Sequence, residues 1–258
     1  MYSATVSDAF RLYRAGLKQC WLPSLLLALA WGWAATLVDR RLGSTDDVLA
    51  WIAQVQVLVW SSFFWKLLTA VCAVSAWLAS AMVADLYAAG TGGASPVATG
   101  LIQATRAFPG VLVASTIFLV VTSIGSMLFM VPYGSLLGTL SIVPSTYLWG
   151  MWQLWLVVLV VERCGPLSAL RRSWQLVEGH WWRITTLITV MVVIAIIPAL
   201  VFDAVTSGML MMLGLDNLHA PAFMTVAGIL LYMLLLPLVP AALVVAYLDR
   251  QRAPVVYG

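Results

Sequence analysis

The chain has 258 residues, 63% of them hydrophobic and 9% charged, with a net charge of +3 and a mean hydropathy of +1.00. A soluble domain carries about a quarter charged residues, so a chain this apolar cannot clothe itself in polar surface, and lipid must be its solvent. The small net charge, with no basic run, argues against nucleic acid as a partner.

Six segments are long and apolar enough to span a bilayer, which takes roughly 20 residues each. They are Trp21 to Val38, Phe63 to Ala84, Gly110 to Val131, Ile142 to Val161, Ile184 to Val205 and Met224 to Leu248. The first follows Arg11, Arg14 and Lys18, and Ala28-Leu29-Ala30 resembles a cleavage site. The apolar stretch runs on to Val38, so it reads as an uncleaved anchor. Ala50 to Ala84 holds one charge, Lys66, and is too long for one untilted span and too short for two. An outer interfacial helix near Asp47 to Trp60, leading into the second span, resolves this. Lys66 then snorkels to water at the outer end.

Basic residues orient the chain. With the N-terminus inside, Arg11, Arg14, Lys18, Arg106, Arg163, Arg171, Arg172, Arg183, Arg250 and Arg252 are cytoplasmic. Arg40, Arg41 and Lys66 are outside. This asymmetry places both termini on the cytoplasmic side of a multi-pass membrane protein. Asp85 and Asp203 fall at span ends, inner and outer, where water reaches them. The 13 tryptophans suit interfacial anchoring. Cys20, Cys72 and Cys164 are too widely spaced for a disulfide or metal framework, and no cofactor is expected.

The most polar stretch is "GPLSALRRSWQLVEGHWWR", residues 165 to 183. Gly165-Pro166 starts a helix, and Leu167, Leu170, Trp174, Val177 and Trp181 recur on one face. Gly179 can end it in a left-handed conformation, and His180-Trp181-Trp182-Arg183 anchors the fifth span. The segment reads as an amphipathic elbow helix on the cytoplasmic surface. The same device appears in "VSDAFRLYRAGLK", and again in "SPVATGLIQATRAFPG" with Ser95 as N-cap, Pro96 at the first turn and Pro109-Gly110 as the stop. Three units of surface helix, span and span follow, over about 1–85, 95–162 and 165–249. The fold class is therefore all-α: one polytopic membrane domain of six transmembrane helices with amphipathic cytoplasmic surface helices.

"VVERCGPLSALRRSWQLVEGHWWR", residues 160 to 183, resembles the hallmark of a bacterial six-span membrane family. That family comprises the membrane domains of glycerophosphodiester phosphodiesterases and the YciC-like inner-membrane proteins. The matching positions are Glu162, Gly165, Pro166, Ala169, Leu170, Arg171, Arg172, Ser173, Trp174, Leu176, Val177, Gly179, Trp182 and Arg183. Elsewhere only the layout of spans matches. The resemblance implies a six-helix domain of the bacterial inner (cytoplasmic) membrane. It does not imply phosphodiesterase activity, which resides in a separate soluble barrel whose sequence is not found in this chain.

Arg163, Arg171, Arg172 and Arg183 are candidates for binding anionic lipid headgroups, against the plainer role of holding the loop inside. Glu162, Gly165, Pro166, Trp174, Gly179, Trp181 and Trp182 build the elbow, with Glu162 able to pair with Arg163, Arg171 or Arg183. Lys66 and Gln153 are candidates for a transport pathway, and Trp149, Trp152 and Trp155 for an apolar pocket or a packing stripe. Pro198, Pro237 and Pro240 bend the last two spans, and Pro132 and Pro144 bracket an uncharged loop. His180 and His219 fall on opposite sides of the membrane. No HExxH, GxSxG, CxxC or paired carboxylates appear, so an enzyme is the weakest class. The expected function is a non-enzymatic role in envelope or lipid homeostasis, or as a scaffold, with membrane lipids as partners. The alternatives are a small transporter or channel, and an accessory or immunity-type subunit that binds a membrane protein.

Overall fold

Hydropathy sets the number of helices, and a few turn residues set where they break. The computed structural model describes residues 2–42, 48–93, 97–127, 135–214 and 222–252, and all regular structure there is helical. Ser95, Pro96, Asp46, Asp47, Asp216, His219 and Pro132 lie outside the described residues.

The helices are α1 (Tyr2–Leu42), α2 (Val48–Val59), α3 (Ser62–Gly90), α4 (Val97–Met127) and α5 (Ser135–Met151). They continue with α6 (Trp155–Glu162), α7 (Pro166–Val177), α8 (Trp181–Met212), α9 (Ala222–Leu235) and α10 (Leu238–Arg252). Six helical spans are long and apolar enough to cross a membrane. The chain is an integral, multi-pass membrane protein. The fourth span is α5 plus α6, broken at Trp152 to Leu154, and the sixth is α9 plus α10, broken at Leu236-Pro237.

The ambiguous stretch after Ala50 resolves into two helices. Ser61 sits at an extended φ of −79° and accepts a bond from the Phe64 amide at 3.2 Å, which caps α3 and separates it from α2. Arg41 stacks over the Phe63 ring at 4.6 Å, tying the end of α1 to this junction.

Only one of the three expected elbows is a separate helix. Residues 6–18 are continuous with the first span in α1, despite Pro23. Residues 97–108 are continuous with the third span in α4, and Pro109 does not stop the helix. Pro23 costs α1 the amide bond to the Gln19 carbonyl, and next to it Ser24 Oγ donates back to the Cys20 carbonyl at 2.7 Å. The elbow α7 is separate because its ends are built from backbone that helices cannot contain. Arg163 has φ 51°, Gly165 is extended before Pro166, and Gly179 has φ 76°.

α1 and α3 run antiparallel at the centre. Cys20 Sγ reaches the Met82 carbonyl at 3.7 Å, and Trp31 Nε1 donates to Ser75 Oγ at 3.1 Å. Small side chains let the backbones approach: Ala9, Ala81, Ala241 and Ala242 are fully buried, and Ser80 with them. Leu78, Met82, Leu86, Leu154, Val157, Met191 and Tyr247 fill the remaining core.

One end of the bundle gathers Arg11, Gly90, Arg183, Asp249 and Arg252 around a shared depression, so the starts of α1 and α8 and the ends of α3 and α10 lie together. This basic end also carries the elbow.

Candidate functional site

α7 folds back on α6 and presents a small, buried face. Ala169, Leu170, Ser173, Leu176 and Val177 are buried, whereas Leu167 is 69% exposed and falls off the packed stripe. Ser173, hidden among apolar neighbours, bridges the break in the fourth span. Its hydroxyl accepts from the Leu154 amide at 3.2 Å and donates to the Met151 carbonyl at 3.1 Å. Those backbone groups lose their helical partners at the break and would otherwise be orphaned.

Glu162 is the second fastening. Its Oε1 accepts from the Tyr247 hydroxyl at 3.0 Å and from Arg172 Nε at 3.5 Å. Gln251 Nε2 donates to the Tyr247 oxygen, and Arg250 Nε donates to the Leu176 carbonyl at 3.0 Å. Arg183 pairs with Asp249 at 3.0 Å. Glu162 thus takes Arg172 as its partner, with no ion pair to Arg163, Arg171 or Arg183. The half-exposed Arg172 pair contributes at most about 1 kcal/mol. The charge-assisted bond from buried Tyr247 is the stronger tie, about 1.5–3 kcal/mol.

These pairs divide the four candidate arginines. Arg172 and Arg183 are engaged in the elbow's fastenings, and Arg171 stands exposed on the outer face of α7. Arg163 lines a depression of about 310 Å³ together with Gln103, Arg106, Cys164, Gly165 and Pro166. Neither Arg106 nor Arg163 has an ion pair among the described residues. The first intrahelical amide bond of α7 is Ala169 to Gly165, so the Leu167 and Ser168 amides begin the helix without helical partners. Two guanidiniums beside an open helix start form an anion-binding arrangement. Burial, and secondly the charge of Glu162, push the Cys164 thiol above its ordinary value, so it adds no negative charge at neutral pH. Arg106 lies 57 residues from Arg163, and nothing local in the sequence pairs them.

The other candidates are scattered. Lys66 is exposed in the second turn of α3. Gln153 is 8% exposed at the break of the fourth span, and neither of its amide atoms has a hydrogen-bond partner among the described residues. The cavities described here are lined by neither residue. Trp152 and Trp155 pack on Phe118 at 6.3 and 6.4 Å, and Trp149 is 40% exposed, so these rings do not enclose a shared pocket. Trp181 packs against Tyr147 and Trp182, and Trp182 is itself 74% exposed.

One aspartate differs from the sequence reading, and another has a partner the sequence did not show. Asp85 is buried, at 1% exposure, because the first turn of α4 closes over it. Its carboxylate lies against Gly100, and neither oxygen has a well-formed hydrogen bond among the described residues. Asp203 is exposed, as expected, within α8, which continues to Met212, and its Oδ2 accepts from the Tyr232 hydroxyl at 2.6 Å. No group of three metal-ligating side chains comes together among the described residues. Comparison with family models, curated proteins and solved structures finds no match to this chain.

Proposed function

We propose that the chain is a non-enzymatic inner-membrane protein of envelope or lipid homeostasis that binds anionic phospholipid headgroups at its basic end. The observation that carries this reading is the meeting of Arg106 and Arg163 at one depression beside the open start of α7, with no acidic partner on either. Both termini and the elbow then face the cytoplasm, where the anionic leaflet attracts basic side chains. The resemblance of residues 160–183 to a six-span inner-membrane family supports the same localisation.

The test is lipid retention on native extraction, read by mass spectrometry. Each basic residue near a bilayer is worth about 1 kcal/mol, so Arg106→Gln with Arg163→Gln lowers retention of phosphatidylglycerol or cardiolipin about tenfold or more. Arg171→Gln has the smaller effect. Unchanged retention in the double variant rejects the site. A stoichiometric protein in the same extraction makes the chain an accessory subunit instead.

A transporter is the second reading, favoured by the discontinuous fourth and sixth spans. It is weakened by a centre of Leu154, Val157 and Val158 that is closed to solvent. Ion or solute flux in proteoliposomes that is lost in Gln153→Leu would reinstate it.

A further inference from the structure

At the opposite end the bundle carries a different chemistry. α1, α8 and α9 do not close on one another and leave a groove of about 520 Å³. Its walls are mostly apolar, and Gly32 keeps it open: a Cβ there would meet nothing within 4 Å. The single charge in the lining is Asp203. Oδ2 holds the Tyr232 hydroxyl, and Oδ1 has no partner among the described residues. No Lys, Arg or His lines the groove, and Asp203 is in none of the ion pairs of the described residues.

The position of this carboxylate in the bilayer follows from helix geometry. Asp203 lies 20 residues past Arg183 along α8, about 30 Å, which is one hydrocarbon thickness. With Arg183 at the basic end, Asp203 reaches the headgroup level of the far leaflet. Leu236 lies one turn deeper than Tyr232, so the groove runs from that level towards the membrane interior along Ile229 and Leu236. Asp203 lies part-way along the groove, with Thr206, Leu210 and Thr225 towards its outer end and Gly32, Ile229 and Leu236 on the apolar side below, so the lining matches the polar and apolar halves of a lipid. The unopposed carboxylate repels a phosphate and attracts a cation. A quaternary ammonium has no N–H and would leave Oδ1 without a donor, whereas a primary ammonium brings three.

We propose that this groove holds one phospholipid with a primary-ammonium headgroup. The ammonium donates to Asp203 Oδ1. One acyl chain lies along Gly32 and Ile229 towards Leu236. The Tyr232 hydroxyl orients the carboxylate and leaves its second oxygen for the ligand.

The experiment is a titration of the purified full chain in detergent with phosphatidylethanolamine, phosphatidylcholine and phosphatidylglycerol of identical acyl chains, followed by native mass spectrometry. Phosphatidylethanolamine is expected to bind at least tenfold more tightly than phosphatidylcholine, and to add to whatever phosphatidylglycerol the basic end retains. Asp203→Asn keeps an acceptor for Tyr232 and is expected to erase that preference. Gly32→Leu fills open space without touching the fold and is expected to reduce binding of all three at this site. It provides the test if Asp203→Asn does not fold. Equal affinities for phosphatidylethanolamine and phosphatidylcholine in the parent chain, a preference that survives Asp203→Asn, or full binding in Gly32→Leu overturns the proposal. The Arg106 and Arg163 variants lower phosphatidylglycerol retention and leave the preference for phosphatidylethanolamine over phosphatidylcholine in place, so the two sites stand or fall separately.

Discussion

Gly150 and Trp181 are in direct contact: a Cβ on Gly150 would lie 2.7 Å from Cε2 of the Trp181 indole. The indole N–H has no acceptor among the described residues, so shape rather than hydrogen bonding holds the ring. The contact joins α5 to the start of α8, across the elbow. Gly150→Ala is expected to destabilise by about 1–3 kcal/mol through overpacking. Thermal unfolding in detergent measures it. Trp181→Ala should cost less in the Gly150→Ala background than in the parent, because the indole atoms that the added Cβ meets are then gone. An unchanged melting temperature in Gly150→Ala would show that the helices can separate freely there.

Gly179 is constrained differently. A Cβ there meets nothing within 4 Å, but φ is 76°. Gly179→Ala therefore costs about 1 kcal/mol in backbone strain alone, and Gly179→Asn costs less, since Asn tolerates the left-handed region. Equal stability of the Ala and Asn variants would contradict this.

Ser173→Ala removes the hydroxyl that serves both Leu154 and Met151. Leaving buried backbone groups unpaired costs about 1–3 kcal/mol. Amide exchange at Leu154 should speed up, while Ser168→Ala, at an exposed position of the same helix, should leave it unchanged.

Gly100→Ala pushes a methyl into the Asp85 carboxylate and should destabilise the junction of α3 and α4. Asp85→Ala should relieve most of that cost. A double-mutant cycle measures the coupling, which is expected at about 0.5–3 kcal/mol for residues in contact. Strict additivity would mean that the two do not touch.

The Cys164 thiol gives a pH prediction. Burial first, and Glu162 second, raise its pKa, so thiolate is scarcer than usual at a given pH. Maleimide labelling should accelerate only above the pH range of an ordinary thiol. Glu162→Gln should shift the profile to lower pH, but not fully to the ordinary value, because burial is the larger cause. A profile that does not move in Glu162→Gln would show that the carboxylate does not act on the thiol.

The spans were legible because lipid imposes a length and a composition on any helix that crosses it. The ends of α7 were legible because Gly165-Pro166 and Gly179 are backbone signals that act locally. Continuity of α1 and α4 was not, since the amphipathic stripe of residues 6–18 reads as a separate surface helix and Pro109-Gly110 as a stop until neighbouring helices support the chain around them. Ser173 was invisible for a related reason. A serine on an amphipathic helix reads as surface, and only the break it fills, some 20 residues earlier, explains its burial. The arginine patch was legible as charge but not as a site, because pairing with Glu162 and Asp249 removed two candidates and proximity added Arg106.

By itself the sequence determined that this chain lives in a membrane, in six helical spans, with most of its basic residues in the segments on one side of them. Hydropathy and charge act residue by residue and need no partner to be read. Tertiary structure alone decided which arginines remain unpaired, that Asp85 is buried under α4, and that Asp203 faces a groove beside Tyr232. Those are pairings between residues far apart in the chain, and only the packing of helices brings them within reach of one another.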